Sequence, residues 1–223
     1  MKQRIKLVIF DLDGTLLNTL SDLSFSANFI LKKNGFPVHP TEIYKSFIGN
    51  GLNKFIERIL PEHQKNEQNI IRIRDSFLTY YDEHIADYTK PYAGIHKLLK
   101  TLISKGFQLA VASNKHQKAT EKLIRHLLPD IPFTAVLGQR EGIPAKPDPT
   151  IVHEALLIAG ILPEEAIFIG DSDVDIQTAA NSNVVSIGVA WGFRPREELE
   201  AAGANYIVCT TNDIVEIVTG AFG

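Results

Sequence analysis

The hydrophobic positions of this chain follow two different patterns, which change near residue 90. From residue 107 onwards, short apolar runs alternate with segments in which apolar residues recur every three or four positions. This alternation is typical of a parallel sheet with helices on both faces. We therefore predict an α/β fold with a doubly wound, mostly parallel sheet, whose strands are residues 5–10, 108–113, 134–138, 166–170, 184–189 and 206–208.

Between the first predicted strand and residue 86, the pattern is helical. The clearest helix face has the i, i+3, i+4, i+7, i+8 spacing of one apolar stripe, and its members are Leu52, Phe55, Ile56, Ile59 and Leu60. The pattern predicts no further strand before residue 107. We therefore expect a small all-helical domain, residues 17–86, inserted into a core domain made of residues 1–16 and 87–223.

Composition and charge narrow the functional classes. The chain has 223 residues, of which 44% are hydrophobic and 22% charged, as in ordinary globular proteins. A formal net charge of −3 offers no basic surface for nucleic acid or an anionic membrane. No apolar run is long enough to span a bilayer, and the acids within the first apolar run disfavour a secretory signal. The single cysteine, Cys209, excludes an intramolecular disulfide. We expect a cytoplasmic monomer or homodimer.

Polar and charged residues follow four of the predicted strands. In a parallel sheet, the carboxyl ends of the strands meet at one edge, where ligands bind. Each group alone is compatible with an ordinary turn or helix cap. Together they predict a single site at that edge, formed by Asp11, Asp13, Ser113, Asn114, Lys146, Asp171 and Asp175.

The charges of this predicted site require a partner. Four carboxylates brought together repel each other, since two like charges 4 Å apart cost about 4 kcal/mol at an effective dielectric constant of 20. A hard divalent cation relieves this repulsion, and Mg²⁺ suits a few carboxylates together with phosphate oxygen and water. Lys146 is the strongest candidate for a second cation, with Lys115 as another, and no His or Cys cluster indicates zinc. The set predicts a site for a phosphoryl group and its Mg²⁺.

Four ordered motifs carry a resemblance to a known family. They are "DLDGT" from Asp11, "VASNK" around Ser113, "AKPDP" around Lys146 and "GDSDVD" from Gly170. With these motifs the chain resembles the haloacid dehalogenase superfamily of phosphohydrolases, and within it the phosphoglycolate phosphatase-like enzymes. The resemblance implies that the helical insert is the family's cap domain.

The resemblance also implies roles for the motif residues. Asp11 would attack phosphorus and form an aspartyl-phosphate, and Asp13 would act as general acid and then as general base. Mg²⁺ would be held by Asp11, the backbone carbonyl of Asp13 and Asp171, with Asp175 acting through water. The phosphoryl oxygens would be held by Ser113, Asn114 and Lys146.

The substrate would be a small organic phosphate ester, and phosphoglycolate is the best single expectation. A loop and helix of the insert would read it, because two glycines allow close approach and a helix N-terminus offers free amides. The residues are Asn50, Gly51, Lys54 and Arg58. A plain inter-helix turn is the alternative for this loop.

Other functions remain open at this point. A sugar-phosphate mutase of the same superfamily is one alternative, although Thr15 and the Gly170-Asp171 pair resemble phosphatases more. A phosphatase for another sugar phosphate or a nucleotide is a second alternative. A phospho-ligand binding protein without catalysis is the non-enzymatic alternative, which the presence of Asp11, Asp13 and Lys146 disfavours.

Overall fold

Six parallel strands form the central sheet of the protein. The computed structural model describes residues 5–220, so the outer ends of the predicted core, residues 1–4 and 221–223, lie outside the described residues. The strand order is β5-β4-β1-β6-β7-β8. The strands are β1 (Leu7–Phe10), β4 (Gln108–His116), β5 (Ala135–Gln139), β6 (Ala166–Gly170), β7 (Val185–Val189) and β8 (Tyr206–Val208).

The sheet is buried on both faces, which explains its continuous apolar runs. Along β1, Val8 and Phe10 belong to one hydrophobic cluster, whereas Leu7 and Ile9 belong to another on the opposite face. The helices of this part of the chain are α5 (Ile95–Ser104), α6 (Gln117–Leu127), α7 (Thr150–Ala159), α8 (Asp173–Asn181), α9 (Arg196–Ala201) and α10 (Thr211–Gly220). The prediction of a doubly wound parallel α/β sheet is confirmed.

Four α-helices lie between β1 and residue 90, and they pack mainly on one another. They are α1 (Leu20–Lys33), α2 (Tyr44–Phe47), α3 (Leu52–Ile59) and α4 (Glu67–His84). Aromatic rings join α2, α3 and α4, since the ring centroids of Phe55 and Phe77 lie 5.4 Å apart and Tyr44 is fully buried against Phe55. The helical character expected of this region is therefore present, while the domain boundary at residues 16 and 87 stays a prediction.

A short antiparallel ribbon at the base of these helices corrects the expectation that no strand lies between β1 and residue 107. Its strands are β2 (Leu17–Asn18) and β3 (Lys90–Pro91). Two residues are too few to show an alternating pattern, so strands of this length leave no hydrophobic signal in the sequence. The Asp22 carboxylate fastens the returning chain, because it accepts hydrogen bonds from the backbone of Tyr88 (3.0 Å) and Thr89 (2.8 Å).

Strand β4 is longer than the predicted segment 108–113, because it continues to His116. Its register against β5 shifts between Ala112 and His116. This irregularity falls where the chain carries the polar residues of the second motif. In the described part of the chain, no helix has the length and apolar character needed to cross a membrane.

Candidate active site at the carboxyl edge of the sheet

The carboxyl ends of β1, β4 and β6 meet at one cavity, together with the loop after β5. The cavity is lined by all seven residues predicted for the core site, which are Asp11, Asp13, Ser113, Asn114, Lys146, Asp171 and Asp175. Helices α3 and α4 contribute the facing wall. The structure thus brings these residues together, while their individual roles stay predictions.

Lys146 is the central cation of the cluster. Its Nζ lies 2.7 Å from Oδ1 of Asp11, 2.7 Å from Oδ1 of Asp175 and 3.0 Å from the carbonyl oxygen of Ala112. An ammonium group has three N–H donors, and each is used here. Burial by itself would lower the pKa of Lys146, but the two carboxylates raise it above its ordinary value. The lysine is therefore a permanent, fixed positive charge.

The acids of the site outnumber this cation. Carboxylate oxygens of Asp11, Asp171 and Asp175 lie within 4.8 Å of one another, and all three residues are buried. Burial raises the pKa of Asp11 to about 7 in spite of Lys146. Burial and the nearby Asp175 likewise raise the pKa of Asp171 well above its usual range. Three clustered oxygen donors with an unbalanced negative charge fit a hard divalent cation. The Asp13 carboxylate lies outside this group, so a contribution of its backbone carbonyl stays a prediction.

Capping of α8 fixes the two acids of the fourth motif. Ser172 is the N-cap residue, and its hydroxyl donates a 2.7 Å hydrogen bond to Asp175. The backbone amide of Phe193 donates a 2.6 Å hydrogen bond to the Asp171 carboxylate. Gly170 is required here, since a Cβ at that position would lie 2.2 Å from Cβ of Asp175. The glycine of "GDSDVD" is thus explained by close packing.

The second motif ties several segments together. The Asn114 side-chain amide donates hydrogen bonds to the carbonyl oxygens of Gly49 (2.9 Å) and Lys146 (3.1 Å), and its oxygen accepts from the backbone amide of Lys146 (2.8 Å). The Ser113 hydroxyl accepts a hydrogen bond from the backbone amide of Lys115 (3.2 Å). The side chain of Asn114 therefore positions the loop that carries Lys146 and holds a loop of the helical insert.

Lys115 forms a second buried ion pair. Its Nζ lies 3.1 and 3.2 Å from the two carboxylate oxygens of Asp13, and its side chain is 6% exposed. Burial acts to lower the pKa of Lys115, but Asp13 raises it above its ordinary value. The ammonium also lies 4.9 Å from the ring centroid of Tyr81 on α4.

Sequence reasoning missed Tyr81 as a site residue. Tyr81 follows Ile73 and Phe77 at the spacing of an apolar helix stripe, which indicates core packing, and the residue is indeed 2% exposed. The structure places it in the wall of the cavity, where its hydroxyl has no hydrogen-bond partner among the described residues. Burial raises the pKa of Tyr81 to about 12, so the hydroxyl stays protonated. A lone polar atom within an apolar helix stripe carries no distinctive signal in one sequence.

Of the four specificity residues expected in the insert, only Gly51 lines the cavity. Lys54 is exposed and forms a 2.7 Å ion pair with Glu57. Arg58 donates a 3.0 Å hydrogen bond to the carbonyl oxygen of Phe47, and Asn50 is not among the lining residues. The reason is the orientation of α3, whose apolar face is buried while Lys54 and Arg58 lie on its other side.

Arg194 is a further lining residue, in a segment, residues 191–195, for which the sequence left an entrance to the site and a packed loop equally open. It follows β7 and reaches the insert, where its guanidinium donates hydrogen bonds to the carbonyl oxygens of Ile48 (2.7 Å) and Lys45. Its Nε lies 3.0 Å from Glu198. Arg194 and Asn114 thus join the sheet edge to one loop of the insert.

Comparisons with known proteins agree with this arrangement. The model of the haloacid dehalogenase-like hydrolase family matches residues 8–189. A phosphoglycolate phosphatase of Mannheimia succiniciproducens is 29% identical over 224 residues, which cover 98% of this chain and 100% of the relative. One from Neisseria meningitidis is 31% identical over 195 residues, which cover 86% and 83%.

A solved structure shows the same likeness in three dimensions. A Lactobacillus delbrueckii subsp. bulgaricus protein, provisionally assigned as a phosphoglycolate phosphatase, superposes with a TM-score of 0.91 at 33% identity. The match covers 99% of this chain and 100% of the other. The predictions of the family and of a hydrolase similar to phosphoglycolate phosphatases are therefore confirmed. The chain belongs to the haloacid dehalogenase-like hydrolase family.

Proposed function

We propose that the protein is a Mg²⁺-dependent phosphomonoesterase that acts on a small organic phosphate through an aspartyl-phosphate, with phosphoglycolate as the best single substrate. The observation that carries the proposal is the buried cluster of Asp11, Asp171 and Asp175 around Lys146, with Asp13 two residues from Asp11. Its oxygen donors and fixed cation suit a phosphoryl group and a divalent metal.

In the first step, a carboxylate oxygen of Asp11 attacks phosphorus. The bond from phosphorus to the leaving-group oxygen breaks, and Asp13 donates a proton to that oxygen as it departs. In the second step, Asp13 takes a proton from water, whose oxygen attacks phosphorus. The bond to Asp11 then breaks, which releases inorganic phosphate and restores both acids.

The phosphoryl group would be held by the Ser113 hydroxyl, the Asn114 backbone amide and the Lys146 ammonium. A bound Mg²⁺ would offset negative charge as it builds up on the phosphoryl oxygens. Asp11, the Asp13 backbone carbonyl and Asp171 would hold the metal, with Asp175 acting through water. Because Asp175 already receives hydrogen bonds from Lys146 and Ser172, its orientation is fixed before any ligand arrives.

The helical insert, residues 17–86, would serve as a cap over this site. Its contribution to the cavity wall is mainly apolar, from Leu23, Leu52, Phe55 and Phe77. An apolar wall excludes water from the reacting phosphoryl group and favours substrates small enough to be enclosed. The names of the relatives support phosphoglycolate among such substrates.

The first test of the proposal is the Asp11→Asn variant, measured against a panel of phosphomonoesters with Mg²⁺. We expect turnover to be lost while the melting temperature shows a folded protein, because an amide is a far weaker nucleophile than a carboxylate. Asp130→Asn is the control, since Asp130 is exposed and pairs with Lys100. Near-normal turnover by folded Asp11→Asn would refute the mechanism.

The second test concerns metal and substrate. Chelator should abolish turnover and Mg²⁺ should restore it, whereas Ca²⁺, with its looser geometry, should support little. Phosphoglycolate should rank above hexose phosphates and nucleotides in kcat/KM. Full activity in excess chelator would refute the metal site. A lower rank for phosphoglycolate would refute only the substrate.

A further inference from the structure

We infer that Lys115 and the Tyr81 hydroxyl form the subsite for a carboxylate on the leaving group of the substrate. The inference rests on the proposed phosphatase function and assigns its substrate class, namely phosphate esters of short 2-hydroxy acids. It moves substrate recognition from the insert loop to the end of β4 and the facing side of α4.

Lys115 is the cation of the cavity with an N–H group left for the leaving group, whereas Lys146 serves the phosphoryl group in the proposed function. Each of the three N–H groups of Lys146 already has an acceptor, and Arg194 is bound to two carbonyl oxygens and to Glu198. The Lys115 ammonium donates its hydrogen bonds to the Asp13 carboxylate, and Tyr81 lies beside the same ammonium. With two contacts to that carboxylate, Lys115 keeps one N–H group for a ligand.

Tyr81 adds an independent sign of a missing ligand. Its hydroxyl is buried and has no partner in the described part of the chain. A buried hydroxyl without a partner is unfavourable, because it has lost its hydrogen bonds to water. A carboxylate beside Lys115 would accept a hydrogen bond from it, and the ring already lies 4.9 Å from the Lys115 ammonium.

The remaining cavity wall gives a leaving group little else to bind. The side chains of Leu23, Leu52, Phe55 and Phe77 are apolar, and His116 lies at the exposed rim. The subsite therefore selects for a negative charge at one place within an otherwise apolar enclosure.

The position of Lys115 also fits the length of the substrate. In the proposed mechanism, Asp13 donates a proton to the ester oxygen of the leaving group, so that oxygen lies beside Asp13. In a 2-phosphorylated hydroxy acid, one carbon separates that oxygen from the carboxylate carbon. Lys115 contacts Asp13 directly, so its ammonium is adjacent to where this carboxylate would lie.

The test compares 2-phosphoglycolate with 2-phosphoglycolamide, a compound of almost the same shape in which an uncharged amide replaces the carboxylate and the phosphate group is unchanged. Wild-type kcat/KM should favour the carboxylate by on the order of 10²-fold. Lys115→Gln should remove most of this preference by lowering kcat/KM for phosphoglycolate alone, and Lys115→Arg should restore part of it. Tyr81→Phe should cost about 5-fold on phosphoglycolate only. Lys118→Gln, an exposed position on α6, is the control.

Calorimetric binding of both compounds to the Asp11→Asn protein, with Lys115 or with Lys115→Gln, separates this inference from the proposed function. A wild-type protein that hydrolyses other phosphomonoesters but neither of these compounds would refute phosphoglycolate as the substrate, and one that hydrolyses no phosphomonoester would refute the phosphatase, whereas the binding preference would still report on the subsite. Equal losses on both compounds in Lys115→Gln would overturn the inference, because Lys115 would then act on Asp13 or on the phosphoryl group. No preference for phosphoglycolate in either measurement would also overturn it. Should Lys115→Gln not fold, Tyr81→Phe and Lys115→Arg carry the same comparison.

Discussion

The two walls of the cavity differ in almost every physical property. The wall at the sheet edge holds four carboxylates and two lysines, which are Asp11, Asp13, Asp171, Asp175, Lys115 and Lys146. The opposite wall, from α1, α3 and α4, is apolar apart from the Tyr81 hydroxyl and backbone groups. One wall can therefore move charge and protons, whereas the other can only exclude water and limit size.

The two walls also differ in how firmly they are held. Asp11, Asp13 and Asp171 follow buried parallel strands, and Asp175 belongs to the capping box of α8, so the core determines their positions. Lys115 lies near the end of β4, and the loop of Lys146 is held by Asn114. Beside hydrophobic packing, the insert is joined to the core by a two-residue ribbon and by a small number of polar contacts, among them hydrogen bonds from Asn114 and Arg194 to loop carbonyl oxygens. A rigid chemical wall and a more weakly attached enclosing wall suit an enzyme that must open to exchange its ligands.

The largest loss of activity should follow from removing the proton donor of the sheet edge. We expect Asp13→Asn to lower kcat by about 10²–10⁴-fold on alkyl phosphates, because an amide donates no proton to the leaving alkoxide. The loss should be smaller on p-nitrophenyl phosphate, whose leaving group needs little protonation. Steady-state kinetics on both substrate types measures the difference, with Asp130→Asn as control. Equal losses on alkyl and aryl substrates would contradict the role of Asp13 as an acid.

The contrast between the buried sheet and the helical insert also explains which parts of the fold could be predicted from the sequence. Strands buried on both faces are continuous apolar runs, so β1, β6 and β7 were evident in the sequence. The ribbon of β2 and β3 was not predicted, because two-residue strands containing Lys90 and Pro91 show no hydrophobic pattern. The amphipathic helix α3 was evident from its apolar stripe of residues three and four positions apart.

For the candidate site, the sequence predicted the sheet edge far better than the insert. Residues after parallel strands must converge, so topology alone brings Asp11, Lys146 and Asp171 together. No such rule relates a residue on a helix of the insert to the cavity. Lys54 was predicted as a site residue because of its charge, but it lies outside the cavity. Tyr81 has the sequence pattern of a core residue, but it lies in the cavity wall. The orientation of an inserted helix depends on long-range packing, which local sequence patterns do not encode.

A second prediction concerns the attachment of the insert to the sheet edge. Arg194→Gln removes charge-assisted hydrogen bonds to the Lys45 and Ile48 carbonyl oxygens, so the loop should separate from the core more often. We expect kcat/KM to fall about 10-fold on phosphoglycolate and on its amide alike. Amide hydrogen exchange at residues 45–51 should become faster.

The matched control is Arg196→Gln, since Arg196 is an exposed neighbour that pairs with Glu200 and lies on the same segment. It should change neither the kinetics nor the exchange. Unchanged exchange in Arg194→Gln would show that these hydrogen bonds do not hold the insert. A loss confined to phosphoglycolate would instead make Arg194 a carboxylate ligand and would transfer to it the role inferred for Lys115.

The smallest expected effect concerns stability and tests the one polar side chain of the apolar wall. Tyr81→Phe removes a buried hydroxyl that has no partner among the described residues, while the ring keeps its stacked contact with Phe77 at 5.2 Å. We expect the free energy of unfolding to rise by up to about 1 kcal/mol. Tyr44→Phe is the matched control, because the Tyr44 hydroxyl donates a 2.7 Å hydrogen bond to Asn28. Loss of this hydrogen bond in Tyr44→Phe should lower the free energy of unfolding by about 1 kcal/mol.

Denaturant unfolding of the two variants beside the wild type measures this contrast. Opposite signs would show that the Tyr81 hydroxyl is retained at the expense of stability. If Tyr81→Phe also shows a weaker preference for phosphoglycolate over its amide, the Tyr81 hydroxyl serves substrate binding at a cost in stability. If Tyr81→Phe were destabilised as much as Tyr44→Phe, the hydroxyl would have a hydrogen-bond partner in the ligand-free protein. The wall formed by α1, α3 and α4 would then offer the substrate no polar side chain and would only limit its size and exclude water.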